Sequence, residues 1–486
     1  MPDDDHASLS IFSALWAVGA LFHLAKWSLW ADTPSNLAMM VAAVMVLARP
    51  GASLPLAGLF ATQVWALARE MPHTSNHLFL AGLVGALGLL AIGRLLLRSN
   101  GVPTPGALYR DFAPPARVTA LLVLFLAGFH KLNADWFQPE VSCGAEFYRA
   151  VVGRVPLLPE VAWAEWTAIV GAIVIELVAP FLLLSRRLRA AGLLISLVFL
   201  YAVGITGFFN FAAIAAALLA LFAPANMGEL LCAGCERRSP CRRIRSLALS
   251  PKVGRAVEMG VMVVAGTAIV VTLARPWAGH IPDPMLVREL SSGRRPMLSY
   301  AFEAAWWAFG LGLAAALLIG LRSGVARWPS ATALLKHPAP ALSVIPLLTF
   351  LSGVSPYFGL KTEVSFAMFS NLRTETRPNH LVVRRPADLL GLQGDLVAIE
   401  SSSDSELQQI AERGYLVPLI ELRAYVRART RASGPDFTLT YVRNGRWREV
   451  ERAGRDPELT RPGPALARAL VAFRPVSVEG PNRCRH

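Results

Sequence analysis

The chain has 486 residues, of which 54% are hydrophobic and 16% charged, with a mean hydropathy of +0.46. That balance is too apolar for a soluble multidomain protein and implies a multi-pass protein whose first partner is the lipid bilayer. The formal net charge of +14 does not argue for nucleic acid. The basic residues fall in short clusters between apolar runs and in the C-terminal part, where the positive-inside rule and attraction to anionic lipid account for them.

In chain order, Met1–His6 is acidic, lacks a basic n-region and carries no small-residue cleavage site, so the first apolar run, Ile11–Trp30, is read as a retained membrane helix. Measured against the roughly 20 residues that span a bilayer, clear spans follow at Leu78–Leu97, Val118–His130, Trp163–Leu184, Ala190–Thr206, Val257–Ala274, Ala301–Leu321 and Ala339–Val354. Leu37–Ala48 and Leu54–Ala68 are short, with Pro50 and Gly51 between them, and fit two tilted spans or a re-entrant pair. Phe208–Phe222 follows its predecessor after Gly207 alone, which predicts a tight helical hairpin or one broken element.

After Val354 the long apolar runs end. Strands are predicted at His380–Arg384 and Asp395–Glu400, helices at Glu406–Arg413 and Leu416–Arg429, and a hairpin over Phe437–Val450 turning at Asn444-Gly445. Asp456–Pro464 and Pro475–His486 are expected to be poorly ordered. The expected architecture is therefore mainly α, a polytopic membrane helix bundle of about 9–11 spans with a small α+β C-terminal extracytoplasmic domain. Its parts are a membrane core (1–230), a basic cytoplasmic loop (231–256), additional membrane helices (257–354) and the C-terminal domain (355–486) with a disordered end.

Loop charges orient the spans. Arg94, Arg98, Arg110 and Arg117, then Arg186, Arg187 and Arg189, then the run from Arg237 to Arg245, then Arg322, Arg327 and Lys336 fall on one side if the spans alternate, and that side is the cytoplasm. The N-terminus is then cytoplasmic in a cell inner membrane, while Lys131, the His77 end of its helix and the C-terminal domain face outward. Five cysteines do not make a disulfide framework. Cys232-Ala-Gly-Cys235 with Cys241 resembles half of a zinc site, but Cys143 and Cys484 fall on the opposite side, so no metal is expected and reduced thiols are the reading.

The densest passage is Ala127-Gly-Phe-His130-Lys131-Leu-Asn133-Ala-Asp135-Trp136. No charge occurs from Val118 to Phe129, so Lys131 stands at the hydrocarbon boundary, where desolvation favours a neutral amine and a neutral amine is a base. The structural alternative is a lysine that snorkels to the headgroups beside an anchoring Trp136. Glu176 lies mid-span, where a carboxylate needs a partner or a proton, and Lys131 and His77 are the candidates.

The run Ala127–Trp136 resembles the lysine motif of the vitamin K-dependent γ-carboxylase family, whose bacterial relatives are grouped as horizontally transferred transmembrane (HTTM) proteins. Ser75-Asn76-His77-Leu78 resembles the family's Asn-His motif, and Ile175–Pro180 through Gly207-Phe-Phe-Asn210-Phe211 resembles its later helices. The resemblance covers roughly the first 230 residues. It implies that Lys131 deprotonates a reduced naphthoquinone of the vitamin K or menaquinone type. O2 then adds to give an epoxide and a strong base, and CO2 traps the carbanion left at glutamate. Asn76 and His77 would hold a quinone oxygen, with Trp136 also at the cofactor, and His130, Asn133, Asp135, Glu176 and Asn210 would support the site. This chain departs from the animal enzyme in having His130 for a lysine and Asn133 for an aspartate. It has Tyr201 where many relatives carry a histidine, and nothing in it resembles the animal enzyme's large substrate-binding region.

A second dense passage, Ser355–Lys361 through Met368–Glu375 and Asn379-His380, looks like an extension of bacterial HTTM-type proteins. If it folds back over Lys131 it forms a lid or contacts a peptide or protein substrate, with Arg373, Glu375 and His380 the residues to inspect. Two readings of different class result: a membrane enzyme using a lysine base on a reduced quinone, or a non-catalytic relative that binds lipid, peptide or a partner protein.

Overall fold

The computed structural model describes residues 2–26, 33–98, 101–155, 157–236, 298–431, 436–477 and 480–484. The expected span Val257–Ala274, Cys241 and most of the basic loop lie outside the described residues, as do the side chains of Cys232 and Cys235.

Among the described residues, ten α-helices form the first part: α1 (Pro2–Lys26), α2 (Pro34–Ala48), α3 (Ser53–Glu70), α4 (Asn76–Arg98), α5 (Pro105–His130), α6 (Cys143–Val152), α7 (Ala162–Leu184), α8 (Arg189–Val203), α9 (Phe209–Ala220) and α10 (Met227–Glu236). They are followed by α11 (Leu298–Ser323), α12 (Ala331–Leu335) and α13 (Val344–Val354). Among the described residues seven helices are long and apolar enough to cross a membrane, and the apolar α2 is shorter. The chain is thus a multi-pass membrane protein by helix length and hydropathy.

Local chemistry sets the helix ends that matter. Thr104 caps α5 by accepting the Ala107 N–H at 3.4 Å, with Pro105 at the first helical position. Ser75 caps α4 by accepting the Leu78 N–H at 3.4 Å, so the helix opens on Asn76 and His77 with their side chains released from capping. Gly128 lets α5 and α7 touch: a Cβ there would lie 2.9 Å from the Glu176 Cβ and 3.0 Å from the Leu177 Cγ. Between α8 and α9 the chain reverses at Gly207, whose φ of 101° suits glycine. Leu197 and Tyr201 therefore line the same cavity as Ala216, and the element is the tight hairpin.

One end of the bundle is tied by arginines. Arg117 donates to the carbonyls of Leu221 and Leu334, both at 2.8 Å, and Arg189 to those of Leu183 at 2.6 Å and Pro329 at 2.7 Å. Arg94 pairs with Asp111, and Arg110 and Arg327 reach Asp5 and Asp4 at the start of α1. The described members of the basic clusters thus gather at that end.

At the other end sits the C-terminal domain, an antiparallel sheet of order β4-β3-β1-β2-β5. Its strands are β1 (Leu396–Ser402), β2 (Tyr415–Pro418), β3 (Leu439–Arg443), β4 (Arg446–Val450) and β5 (Val476–Ser477). Its helices are α14 (Ser405–Glu412), α15 (Leu419–Arg431), α16 (Pro457–Thr460) and α17 (Ala465–Leu470). Val397, Leu407, Leu422, Tyr425 and Tyr441 lie in its core. The β3–β4 turn is at Asn444 and Gly445, both with positive φ, as the twist of a two-residue hairpin requires. Glu421 fastens the domain to the bundle: one carboxylate oxygen lies 2.9 Å from His73 Nε2 and the other accepts the Phe473 N–H at 2.9 Å.

Three sequence expectations are corrected. His380–Arg384 is not a strand, because the His380 Nδ1 accepts the N–H groups of Val382 and Val383 and turns the chain, leaving only a bridge to Asn133. The helix expected from Leu416 starts at Leu419, because Leu416 and Val417 pair with β1. The stretches expected to be loose are tied down over their described residues. Asp456 caps α16, Val476 pairs with β2, and Cys484 is disulfide-bonded to Cys143, 341 residues away.

Candidate functional site

Lys131 is the C-cap residue of α5 and is 5% exposed. Its Nζ donates to Glu176 Oε2 at 2.7 Å and to the Ala127 carbonyl at 3.2 Å, and the Trp136 ring centroid is 5.4 Å away. Glu176 is equally buried. Of its two expected partners the structure selects Lys131, since Gly128 brings α7 close enough for that pair. Trp136 is not an anchor at the lipid surface: it is buried, donates from Nε1 to the Ile169 carbonyl at 3.0 Å, and packs in one apolar cluster with Cys143 and Ile173.

His77 belongs to a second cluster. Its Nε2 lies 2.8 Å from His23 Nδ1, 3.1 Å from Asn210 Nδ2 and 3.3 Å from Ser75 Oγ. Asn210 Oδ1 accepts the Phe211 N–H at 3.0 Å, which fixes the amide with its nitrogen towards His77. The His77 Nε2 is therefore an acceptor, and the ring carries its proton on Nδ1. One turn from His23, Lys26 donates to the Gly207 carbonyl, with its Nζ 4.7 Å from the Phe208 ring centroid.

The second dense passage does fold back over Lys131. Residues 359–383 form a strap bonded to the bundle at several points along its length. Phe366 N–H donates to Asn76 Oδ1 at 2.8 Å, and His130 Nε2 lies 3.2 Å from the Ser365 carbonyl. Asn133 donates to the Ser370 carbonyl, and Asn371 Oδ1 accepts the Cys143 N–H at 2.9 Å. Asn379 donates to Asp135 at 2.7 Å, and His380 Nε2 reaches the Phe129 carbonyl at 2.9 Å. The disulfide holds the far end, where the Asn482 N–H donates to Asp135 at 2.8 Å. Five non-glycine residues of the strap have positive φ: Val364, Phe366, Phe369, Asn371 and Thr376. Left-handed backbone costs an L-residue roughly 1–2 kcal/mol, and such strain collects where function over-determines a conformation.

These bonds sort the expected site residues. The Ser365 carbonyl can only accept, so His130 carries its proton on Nε2 and accepts from the Tyr357 hydroxyl at 2.8 Å through Nδ1. His130, Asn133, Asp135 and His380 all hold the strap. Burial lowers the His380 pKa, the bond to the Phe129 carbonyl opposing, so His380 is a neutral fastener. Arg373 donates to the carbonyls of Arg377 and Gly480. With Glu375 it lines a polar cavity of about 10 Å³, room for one water and not for a ring. Lys131 and His77 stand in different hydrogen-bonded clusters, Lys131 with Glu176 and His77 with His23 and Asn210. What joins their clusters is aromatic: the ring of Phe208, under Lys26, packs on that of Phe369 of the strap with centroids 4.5 Å apart, and Phe369 packs against the cluster of Trp136.

Sequence reasoning missed Lys361, His23 and Lys26. Lys361 is the first charged residue after the α13 apolar segment, a signal related to the one that marks Lys131. It is 9% exposed, its Nζ lies 4.7 Å from the Phe79 ring centroid, and it makes no ion pair among the described residues. Burial pushes its pKa down to about 8 against the opposing pull of Glu363, which itself pairs with Arg474 at 3.3 Å.

Elsewhere, a cavity of about 220 Å³ between α8, α9 and α11 is lined by apolar residues and Tyr201, whose hydroxyl donates to the Trp307 carbonyl. It offers no chemistry. Among the described residues no group of three or more His, Cys, Asp or Glu side chains is placed to hold a metal. No protein-family model, curated protein or solved structure matches this chain.

Proposed function

We propose that this multi-pass membrane protein is an enzyme of the γ-carboxylase-like HTTM type, in which the Lys131–Glu176 pair takes a proton from a reduced naphthoquinone at the outer face of a cell inner membrane. The observation that carries this reading is the buried contact of 2.7 Å between ammonium and carboxylate under the strap. In a dry site an ion pair and its neutral form, amine beside carboxylic acid, lie close in energy, because desolvation opposes the charges that Coulomb attraction favours. With its proton resting on Glu176, the Lys131 amine can accept one from a ring hydroxyl and become ammonium, and the carboxylic acid remains neutral beside it. The Asn76 amide nitrogen, which makes no hydrogen bond among the described residues, is a donor for a quinone oxygen, and Trp136 gives the pair an apolar wall. Bound there, the quinol would supply the acidic hydroxyl and, on oxidation by O2 to the epoxide, the strong base that forms the carbanion trapped by CO2.

The disulfide at this end supports an oxidising, extracytoplasmic compartment, and the arginines at the other end support a cytoplasmic one. The test is oxygen-dependent turnover of a reduced menaquinone analogue by protein in nanodiscs, with the products mass-analysed. Epoxide from wild type, absent in Lys131→Ala and Glu176→Leu, is the expected result. Folded protein that neither binds the analogue nor takes up oxygen sinks the reading.

One observation favours the second reading, a non-catalytic membrane protein that binds lipid, peptide or a partner protein. His130, Asn133, Asp135 and His380 are all engaged with the strap or the tail. A strap that stays closed during turnover conditions, by hydrogen exchange, would choose it.

A further inference from the structure

Lys361 is the buried cation that the proposed reaction leaves unused. It stands on the strap, nine-tenths buried, with an aromatic face as its neighbour and no carboxylate paired to it among the described residues. A buried ammonium without a counter-ion is costly unless something anionic arrives or the group gives up its proton. The depressed pKa of about 8 expresses that cost; Glu363 pulls the other way without cancelling it, and its carboxylate pairs with Arg474. The surroundings say what kind of anion fits. The Phe79 ring lies under the amine, the Phe366 ring is 5.9 Å from that of Phe79, and the Phe366 N–H is fixed on Asn76. Two aromatic rings, an amide nitrogen and an ammonium suit a flat ring bearing one ionised oxygen better than a tetrahedral phosphate or a long acyl carboxylate.

We propose that Lys361 is the cationic subsite for an ionised oxygen on a naphthoquinone ring seated between the strap and the start of α4. The proposal rests on the quinone reading above and deepens it: the Lys131–Glu176 pair receives the proton, and Lys361 holds the oxygen that lost it. The same charge gives the strap a reason to be strained, since closing it carries the ammonium onto the ligand.

The experiment is equilibrium binding by tryptophan quenching in nanodiscs, with two stable probes: a 2-hydroxy-3-alkyl-1,4-naphthoquinone, ionised at neutral pH, and its neutral 2-methoxy ether. Wild type is expected to prefer the anion by about tenfold or more. Lys361→Met should erase that preference by weakening the anion more than the ether, and Lys361→Arg should keep part of it. In unmutated protein, the anionic probe should also protect Lys361 from amine acetylation, read by mass spectrometry, so the test survives a variant that fails to fold. If wild type binds both probes and Lys361→Met keeps the preference, or if Lys361 is not protected, Lys361 is not the subsite although the quinone reading stands. If wild type binds neither probe, the quinone reading falls and this inference falls with it.

Discussion

Both ends of the bundle bury cations, and they neutralise them in opposite ways. At the basic end Arg117 and Arg189 are spent on carbonyls at helix termini, fixed acceptors that titrate at no accessible pH. At the strap end Lys131 faces a single carboxylate and Lys361 faces an aromatic ring. Arginine stays charged and forks to backbone, so it staples; lysine can lose its proton, so it can react. The difference separates an end whose cations are held by backbone from one whose cations are held by a titratable or an aromatic partner, without any appeal to motif.

Breaking the Lys131–Glu176 pair should have the largest effect. Lys131→Met or Glu176→Leu alone leaves one buried charge without its partner and should cost about 3–5 kcal/mol, seen as a lowered thermal midpoint in detergent. The double variant should recover most of that stability and none of the turnover. A double variant as unstable as the singles would mean that the pair is not isolated from other charges. Opening the disulfide comes next: it closes a loop of 341 residues, and its loss typically costs about 2–5 kcal/mol. Cys143→Ala with Cys484→Ala should loosen the strap by hydrogen exchange while leaving the arginine end protected.

Lys361 adds a pH signature. Its pKa falls from 10.5 to about 8 on folding, so below pH 8 both states are protonated and the burial cost is present in full. Between about 8 and 10.5 the unfolded chain binds more protons, and stability rises with pH by on the order of 3 kcal/mol. Thermal midpoints from pH 7 to 10 should show that rise in wild type and not in Lys361→Met; equal slopes would remove the buried-amine account. Smallest of all, Arg327→Ala at the basic end breaks half-exposed pairs with Asp4 and Glu229 and should change stability by no more than about 1 kcal/mol, with quinone binding untouched.

Much of this contrast was legible in the residues. An uncharged run ending in Lys131 marks the site because few lysines follow such runs, and Glu176 declares itself by lying mid-span. The same criterion applied to Lys361, and to His23 and Lys26 at the end of the first span, would have found the residues that were missed. Which partner Glu176 takes was not legible, because Gly128 shows no contact until α5 and α7 pack. The strap's role was legible only as a condition, since Asn371, Asn379 and His380 meet partners more than 200 residues away. The strand expected at His380–Arg384 failed for the same reason: a side-chain acceptor and a bridge to Asn133 outweighed local β propensity.

By itself the sequence determined the membrane class, the apolar helices, the end at which the cations gather, the Asn444-Gly445 hairpin and the lysine worth inspecting. Each follows from local hydropathy, loop charge or turn chemistry, which act over a few residues. Only the tertiary structure decided that Lys131 is paired, that His130 and His380 bond the strap to the bundle, that Cys143 meets Cys484, and that a second lysine is buried with no ion pair among the described residues. Those outcomes depend on which groups desolvation brings together, and desolvation is a property of the packed chain.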